Sequence, residues 1–456
     1  MGYRAYPEYR HSGVEWLGKV PADWEVRRLK FVASHNDETL AENTDGQYEI
    51  EYVDISSVDL VQGIISTESM PYEKAPSRAR RVVRHGDTLV STVRTYLKAI
   101  ATISNPPDNL IASTGFAVIR AGDEIDASFL SYYLQSQGFV DAVVANSTGV
   151  SYPAINASDL VCLPAIYPTG KKEQSNIAQF LDHKTAQIDR LIEKKQRLIE
   201  KLQEKRTSII THATTRGLDG RTSMKATGLD WLEAIPEHWR IVRFAFFIGF
   251  QEGPGIMASD FMETGTPLLR IRNIQGKAVS LDGCNYLDAE KVKSRWYHFK
   301  CQKGDLLISG SASTGLICEV NNDAIGAICY TGILRLWPAC DQIIRNFIRW
   351  LVISGPFATQ IKKFQTGSAI QHYGPEHLNQ MLVPLPPIDE QTLIAEYLEA
   401  KTGQIDGMLY KNNEAIERLQ EYRTALITAA VTGQIDVRDW QVPTSAKDPE
   451  ADKEVA

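Results

Sequence analysis

The chain is written twice, and this constrains its fold more than any other feature. The segment GVEWLGKVPADWEVRRLKF beginning at Gly13 recurs as GLDWLEAIPEHWRIVRFAF from Gly228, identical at seven of nineteen positions. EQSNIAQFLDHKTAQIDRLIEKKQRLIEKLQEKRTSIIT from Glu173 returns as EQTLIAEYLEAKTGQIDGMLYKNNEAIERLQEYRTALIT from Glu390. Weaker echoes lie between: GDTLVS from Gly86 matches GDLLIS from Gly304, and Thr148-Gly149 matches Thr366-Gly367. Solenoid units run ~20–50 residues, whereas this period is about 216, so a whole domain plus a helix is duplicated in tandem. Two similar units imply two similar ligands.

The second repeat sets a helix in each half. Between Gln174 and Ala213 there is neither proline nor glycine. Leu181, Ile188, Leu202 and Ile209 fall on one heptad position and Leu191 and Leu198 on the other, the pattern of a coiled-coil seam. The second copy keeps the phase with Leu398, Ile405, Leu419 and Leu426 beside Met408, Ala415, Tyr422 and Ala429. Gly403 and Gly407 weaken its first turns by ~1 kcal/mol each. Lys195 and Asn412 occupy one equivalent seam position, where polar residues fix register and partner. Helices of ~40 residues would be ~60 Å long, and two in one chain most simply pack antiparallel as a spacer; homodimerisation through separate seams is the competing arrangement. The segments between, roughly 20–167 and 235–384, carry short β-rich runs broken by Gly, Pro and Asn, with helical stretches at Ala127 to Gln137 and Asp341 to Ile353. The expected fold class is α/β in the mixed α+β sense: two similar domains and a pair of long antiparallel helices. The expected boundaries are 1–170 and 217–387 for the domains, 171–216 and 388–436 for the helices, and 437–456 for a polar tail.

Charge decides less than its distribution. Lys plus Arg number 49 against 56 Asp plus Glu, a net charge of −7, which counts against nucleic acid as a partner because that affinity rests on neutralising phosphates. Yet Lys74 to Lys98 holds seven basic residues and one acid, Asp87, and Lys291 to Lys303 holds five and none. Arg78, Arg80, Arg81, Arg84, Arg94 and Lys98 with Tyr72 and Tyr96 combine forked donors with aromatic surface, a mixture suited to phosphate anchoring and guanine-edge readout. Arg270, Arg272, Asn273, Lys291, Lys293, Arg295 and Trp296 form a comparable set in the second half. Six cysteines without a C-x-x-C pair, and an amino terminus without an apolar signal region, point to a reduced cytoplasmic protein. The longest apolar run, Phe244 to Phe250, is far short of the ~20 residues of a membrane helix.

Catalytic motifs are missing. Asn105-Pro106-Pro107-Asp108 lacks the aromatic fourth residue of an adenine-N6 methyltransferase turn, and no glycine-rich strand-to-helix loop accompanies it. Gly170-Lys171 is followed by Lys172 and preceded at 165 by Ala, so there is no phosphate-binding loop. Pro107-Asp108 has no downstream acid-x-Lys of a nuclease, and His372 and His377 have no ligand-spaced partner. No cofactor and no metal are expected.

The phrases G-x-x-W-L-x-x-[V/I]-P-x-x-W and E-Q-x-x-I-A-x-[F/Y]-L-[D/E]-x-K-T-x-Q-I-D, with LPPIDEQ from Leu385 and AAVTGQIDVR from Ala429, resemble the specificity subunit of type I restriction-modification systems. The first copy departs from this pattern, reading YPTGKKEQ where the second has LPPIDEQ. The resemblance implies two target recognition domains on a pair of antiparallel helices, each reading one half of a split double-stranded DNA sequence. It implies no catalysis by this subunit, two methyltransferase subunits as partners, and restriction endonuclease-translocase subunits beyond them. It also makes the helices, including Gln187, Asp189, Gln404 and Asp406, docking surface as well as spacer. A stand-alone DNA methyltransferase or nuclease with degenerate motifs is the alternative from another class, and a coiled-coil scaffold of non-DNA modules a third.

Overall fold

A computed structural model describes residues 3–149, 152–310, 316–365 and 373–441; Thr366-Gly367, His372 and the tail beyond 441 lie outside the described residues. The chain forms two compact units, one from residues 1–195 and 414–456, the other from 196–413. Each unit therefore takes a portion of both long helices, Lys171–Arg216 and Ile388–Val431.

In the first unit an antiparallel sheet orders strands Ile100–Thr102, Thr88–Ser91, Phe116–Ala121 and Ala33–His35. The second unit repeats that order with Ile317–Glu319, Leu306–Ser309, Ile333–Pro338 and Ile248–Glu252. The GD echo opens the equivalent strands: Gly86 and Gly304 turn the chain in the left-handed region, and the next four residues, Thr88–Ser91 or Leu306–Ser309, after Asp87 or Asp305, are all buried. Continuous burial of a strand needs continuous small or apolar side chains, which both copies provide. The second sheets differ. That of the first unit orders Glu68–Pro71, Glu49–Val53, Leu110–Ser113 and Ala79–Val82, with 49–53 parallel to 110–113. That of the second orders Phe261–Met262, Asn285–Leu287, Thr266–Leu269 and Ile328–Cys329, keeping the parallel pair but ending on the strand at 328–329. Where the first unit has the arginine-bearing strand 79–82, the second has an isolated antiparallel bridge from Lys300 to Ile328 among the described residues.

The repeated motifs are the joints of this architecture. Trp24 and Trp239 are fully buried, and each indole donates to the Glu that opens a long helix: Trp24 Nε1 to Glu173 at 3.2 Å, Trp239 Nε1 to Glu390 at 3.0 Å. The Tyr6 hydroxyl also donates to Glu173, at 2.8 Å. The adjacent glutamines are buried clamps. Gln174 accepts from Asp126 N and donates to the carbonyls of Pro168 and Glu124; Gln391 accepts from Ile344 N and donates to those of Pro386 and Gln342. The YPTGKKEQ departure therefore leaves the helix entry unchanged. Each unit also seats the end of the other long helix on the same motif. Gly433 and Gly217 stop the helices at φ 70° and 73°, and a Cβ at Gly433 would stand 2.4 Å from Pro21, one at Gly217 3.3 Å from the Trp239 ring. Only glycine combines that conformation with that approach.

One expected seam line holds and the other is corrected. In the first unit Leu181, Ile188 and Leu426 are buried; in the second Leu398 and Ile405 are. Leu191 and Leu198, however, are 49% and 44% exposed, and Met408 and Tyr422 52% and 50%. The second line runs one residue later, through Thr185, Ile192, Arg423 and Ala430 in the first unit and Thr402, Ala213 and Arg206 in the second, all buried except Arg206, which is partly so. Its polar members are satisfied in place: Thr185 and Thr402 hydroxyls donate to the carbonyls four residues back, and the arginines reach across. Arg423 Nε donates to Asp189 at 3.0 Å in the first unit, and Arg206 Nε to Asp406 at 2.9 Å in the second. Within each unit the segments are antiparallel, because the end of one helix meets the start of the other at the tryptophan joint, Gly433 beside Trp24 and Glu173 or Gly217 beside Trp239 and Glu390, while the arginine pair joins them further along.

Candidate nucleic-acid interface

The basic residues of the first unit fall into two groups. Arg78, Arg80 and Arg81 lie at or on the edge strand Ala79–Val82. Arg78 is pinned by Tyr52 and by Asp54 at 2.6 Å, which hold its charge firmly. Arg80 stacks on Tyr72 and donates to its hydroxyl. Arg81 is partly buried with no partner for its Nε among the described residues, and desolvation lowers its pKa. Arg84, just beyond, pairs with Glu38 at 2.5 Å. Arg120, which sequence inspection passes over, completes this network: it holds buried Asp87 through two 2.8 Å bonds and Glu38 through a third.

The second group is one loop. Arg94 and Lys98 both sit in the left-handed region, at φ 51° and 53°, bracketing a short 3-10 turn over Thr95–Leu97. Such positions cost of order 1–3 kcal/mol each and persist only where surroundings enforce them. Here they do: buried Thr95 bonds Ser147, Arg94 N donates to Pro153 O, and Lys98 Nζ donates to Gln137. The turn holds Tyr96 and Leu97 half exposed, with the Arg94 guanidinium over the Tyr152 ring at 4.7 Å. This is a rigid, basic and aromatic tip.

In the second unit the set is reduced. Asn273 is buried, its amide donating to Ser280 O and Asp282 O and its oxygen accepting from Arg270 N, so it shapes the loop and is not presented to a ligand. Trp296 is also buried, packed with Ile256, Leu268, Leu287 and Val292. Lys291 and Arg295 lie over its ring, and Lys291 is tied to Asp260, whose pKa that contact lowers. Arg272 donates to Gly283 O. Arg270, over Tyr330, with Arg295 and Lys293, remains exposed. Tyr297, 67% exposed with Lys300 over it, belongs with them; the motif-free stretch YHFK gave no sign of which ring faces outward.

On the helices, Asp189 and Asp406 are committed to their arginine partners, whereas Gln187 and Gln404 are exposed. Each unit also carries an open groove along its helices, lined in part by Glu417, Gln420, Glu421, Thr424 and Thr428 in the first and by Glu200, Gln203, Glu204, Thr207 and Thr211 in the second. These five positions are equivalent and identical. Thr428 accepts from Gln137 N and Thr211 from Gly355 N, while the Thr424 and Thr207 hydroxyls donate to the carbonyls of Gln420 and Gln203.

Comparison with known proteins places these features in context. Residues 251–418 match the model of the type I restriction modification DNA specificity domain. The chain is 22% identical over 429 residues to the type I restriction enzyme MjaVIII specificity subunit of Methanocaldococcus jannaschii, covering 92% of this chain and 95% of that one. It is 23% identical to the EcoBI specificity subunit of Escherichia coli, over 68% and 66% of the two chains. A solved chain from a study of complex assembly and conformational transition of the type I R-M system superposes with a TM-score of 0.71 at 23% identity, covering 91% of this chain and 99% of that one. No described helix is long and apolar enough to cross a membrane.

Proposed function

Because the chain belongs to the family of type I restriction-modification specificity subunits, the non-catalytic subunits of those systems, we propose that each of its two units reads one half of a bipartite double-stranded DNA target. The long helices separate the half-sites and dock two methyltransferase subunits, and restriction endonuclease-translocase subunits join that cytoplasmic complex. The observation that carries this reading is the contrast between what the duplication kept and what it changed. The sheet order, the Trp–Glu joints and the helix pairing recur, whereas the basic and aromatic side chains differ: a left-handed Arg94–Lys98 loop and an arginine edge strand in the first unit, Arg270, Lys293, Arg295 and Tyr297 in the second. Shared scaffold with distinct presented side chains suits two different base sequences, since base-edge contacts specify and phosphate contacts only position.

Docking on the helices is supported by the identical, exposed Glu and Gln of the two grooves and by exposed Gln187 and Gln404, for which no side-chain partner is found among the described residues. The domains 1–170 and 217–387 and helices 171–216 and 388–436 then serve as reading heads and spacer. Reconstitution tests the proposal. The purified chain should transfer no methyl group to DNA; with co-expressed methyltransferase subunits, adenine methylation should appear at a split target. Methyl transfer by the chain alone would overturn it.

A further inference from the structure

Seven residues of the first repeat are identical in both copies, and the structure gives five of them a task inside their own unit. Gly13 and Gly228 make left-handed turns at φ 78° and 72°. Leu17 and Leu232 are buried. Pro21 and Pro236 are buried beside the ends of the long helices. Trp24 and Trp239 are the joints. Trp16 lies against Gly138, and Trp231 packs on the core of its unit. The remaining two pairs have none. Arg28 and Arg243 are exposed and have no ion-pair partner among the described residues, and Phe31 and Phe246 are 61% and 70% exposed. A lone exposed phenylalanine is ordinary. The same phenylalanine, three residues after the same arginine, exposed twice in a repeat that changed twelve of nineteen positions, is not explained by either unit's stability.

Local structure presents them alike. In each unit the strand ending on the arginine, Trp24–Arg28 or Arg240–Arg243, pairs with a strand that leads into a long helix, Pro164–Pro168 or Leu382–Leu385. The next residue, Leu29 or Phe244, is buried and donates its N–H to Leu163 O or Met381 O. A single turn follows, Leu29–Phe31 or Phe244–Phe247, which carries the exposed ring. The arginine and the ring therefore stand at fixed positions on either side of a buried anchor. Lys30 adds a second positive charge beside the Phe31 ring in the first copy.

We propose that Arg28 with Phe31, and Arg243 with Phe246, are two equivalent anchors for a protein bound in two copies, whose surface offers an apolar pocket rimmed by carboxylates. This rests on the function proposed above and identifies that partner as the methyltransferase subunit, since it is the ligand the two units share. Base readout is disfavoured because the half-sites differ in sequence while these residues do not, and phosphate anchoring, which is sequence-independent, would leave the benzyl ring without a role. An aromatic ring seated in a desolvated pocket with an adjacent arginine is the composition of an interface hot spot.

The test is stoichiometry by mass photometry of the full chain co-expressed with its methyltransferase subunit. The wild-type chain should carry two copies. Phe31→Ser or Phe246→Ser should each leave one copy tightly held and weaken the other by about 30-fold or more, and the double variant should weaken both. Arg28→Glu and Arg243→Glu should act in the same direction and reduce the salt dependence of assembly. Because the rings are exposed, circular dichroism and melting of the free chain should match wild type, which separates lost docking from lost folding. If the wild-type chain binds two copies and the double variant binds two with equal affinity, the anchors are refuted while the proposed function stands. If the variants lose DNA affinity without the partner and keep its binding, the surface belongs to DNA and the inference fails. If the wild-type chain binds no methyltransferase subunit, the proposed function itself fails, and the anchors with it.

Discussion

Replacing Arg423 by alanine should cost more than replacing Arg206, although the two residues are equivalent in the duplication and make the same bond. The Arg423 side chain is 9% exposed and its partner Asp189 35%; Arg206 and Asp406 are 31% and 36% exposed. Breaking a fully buried pair costs ~3–5 kcal/mol because the abandoned charge stays desolvated. Asp189 keeps a third of its surface in water and can rehydrate, so we discount that cost to about 2 kcal/mol, including the packing lost with the buried arginine stem. At the second pair, where both partners keep about a third of their surface in water, the cost should be about 1 kcal/mol or less. A chain of two units is not expected to unfold in a single transition, so the assay is hydrogen exchange resolved along the helices, which reports local opening. Arg423→Ala should speed exchange of the surrounding helix amides by about 30-fold, and Arg206→Ala by about 5-fold or less, at 1.36 kcal/mol per decade. Equal effects, or a larger effect at Arg206, would refute the argument that burial sets the worth of these pairs.

Glu173→Ala should destabilise the first unit by about 3 kcal/mol, since it strands both the buried Trp24 indole N–H and the Tyr6 hydroxyl; Glu173→Gln, which retains an acceptor, should cost clearly less, as read by denaturant titration of tryptophan fluorescence. High pH should weaken the first unit before the second. Burial raises the pKa of Tyr6, Tyr132 and Tyr133, with Glu173 and Asp182 adding to the first two, and burial together with Tyr422 pushes Tyr3 up to about 12; in the second unit the buried phenol raised comparably is Tyr373. A phenol whose folded pKa is raised contributes stability that is complete below the unfolded value of about 10 and is lost as pH rises through the folded value, at about 1.36 kcal/mol per pH unit for each tyrosine; exchange or limited proteolysis across pH 9–12 should show it. Inserting seven residues into both helices at the unit boundaries, after Lys195 and after Asn413, keeps each unit's contacts and lengthens the helices by ~10 Å, so the gap between half-sites should grow by up to about three base pairs while the half-sites stay unchanged.

Much of the architecture was legible because duplication writes its constraints twice. Residues that recur at a fixed offset, such as Trp24 with Trp239 and Gln174 with Gln391, prove to be joints. The helices announced themselves through length and heptad spacing. The second seam line did not, because Arg206 and Arg423 hold places where an apolar residue is expected while Leu191 and Leu198 face water one residue away. Basic clusters were visible as composition, but not their neutralisation: Asp54, Glu38 and Asp260 come from 24 to 46 residues away to pair Arg78, Arg84 and Lys291. Nor could spacing reveal that Asn273 and Trp296 are interior or that Arg94 and Lys98 bracket a left-handed turn, since these follow from long-range packing.

The central claim is that each unit reads its own half-site. The most direct measurement exchanges residues 32–165 for the corresponding segment of another family member, keeping the Trp24 motif, Glu173 and both helices, and maps methylated adenines genome-wide in cells that express the methyltransferase subunit. The account predicts that one half-site changes while the other half-site and the gap are retained. A change in both half-sites, or in neither, would contradict it.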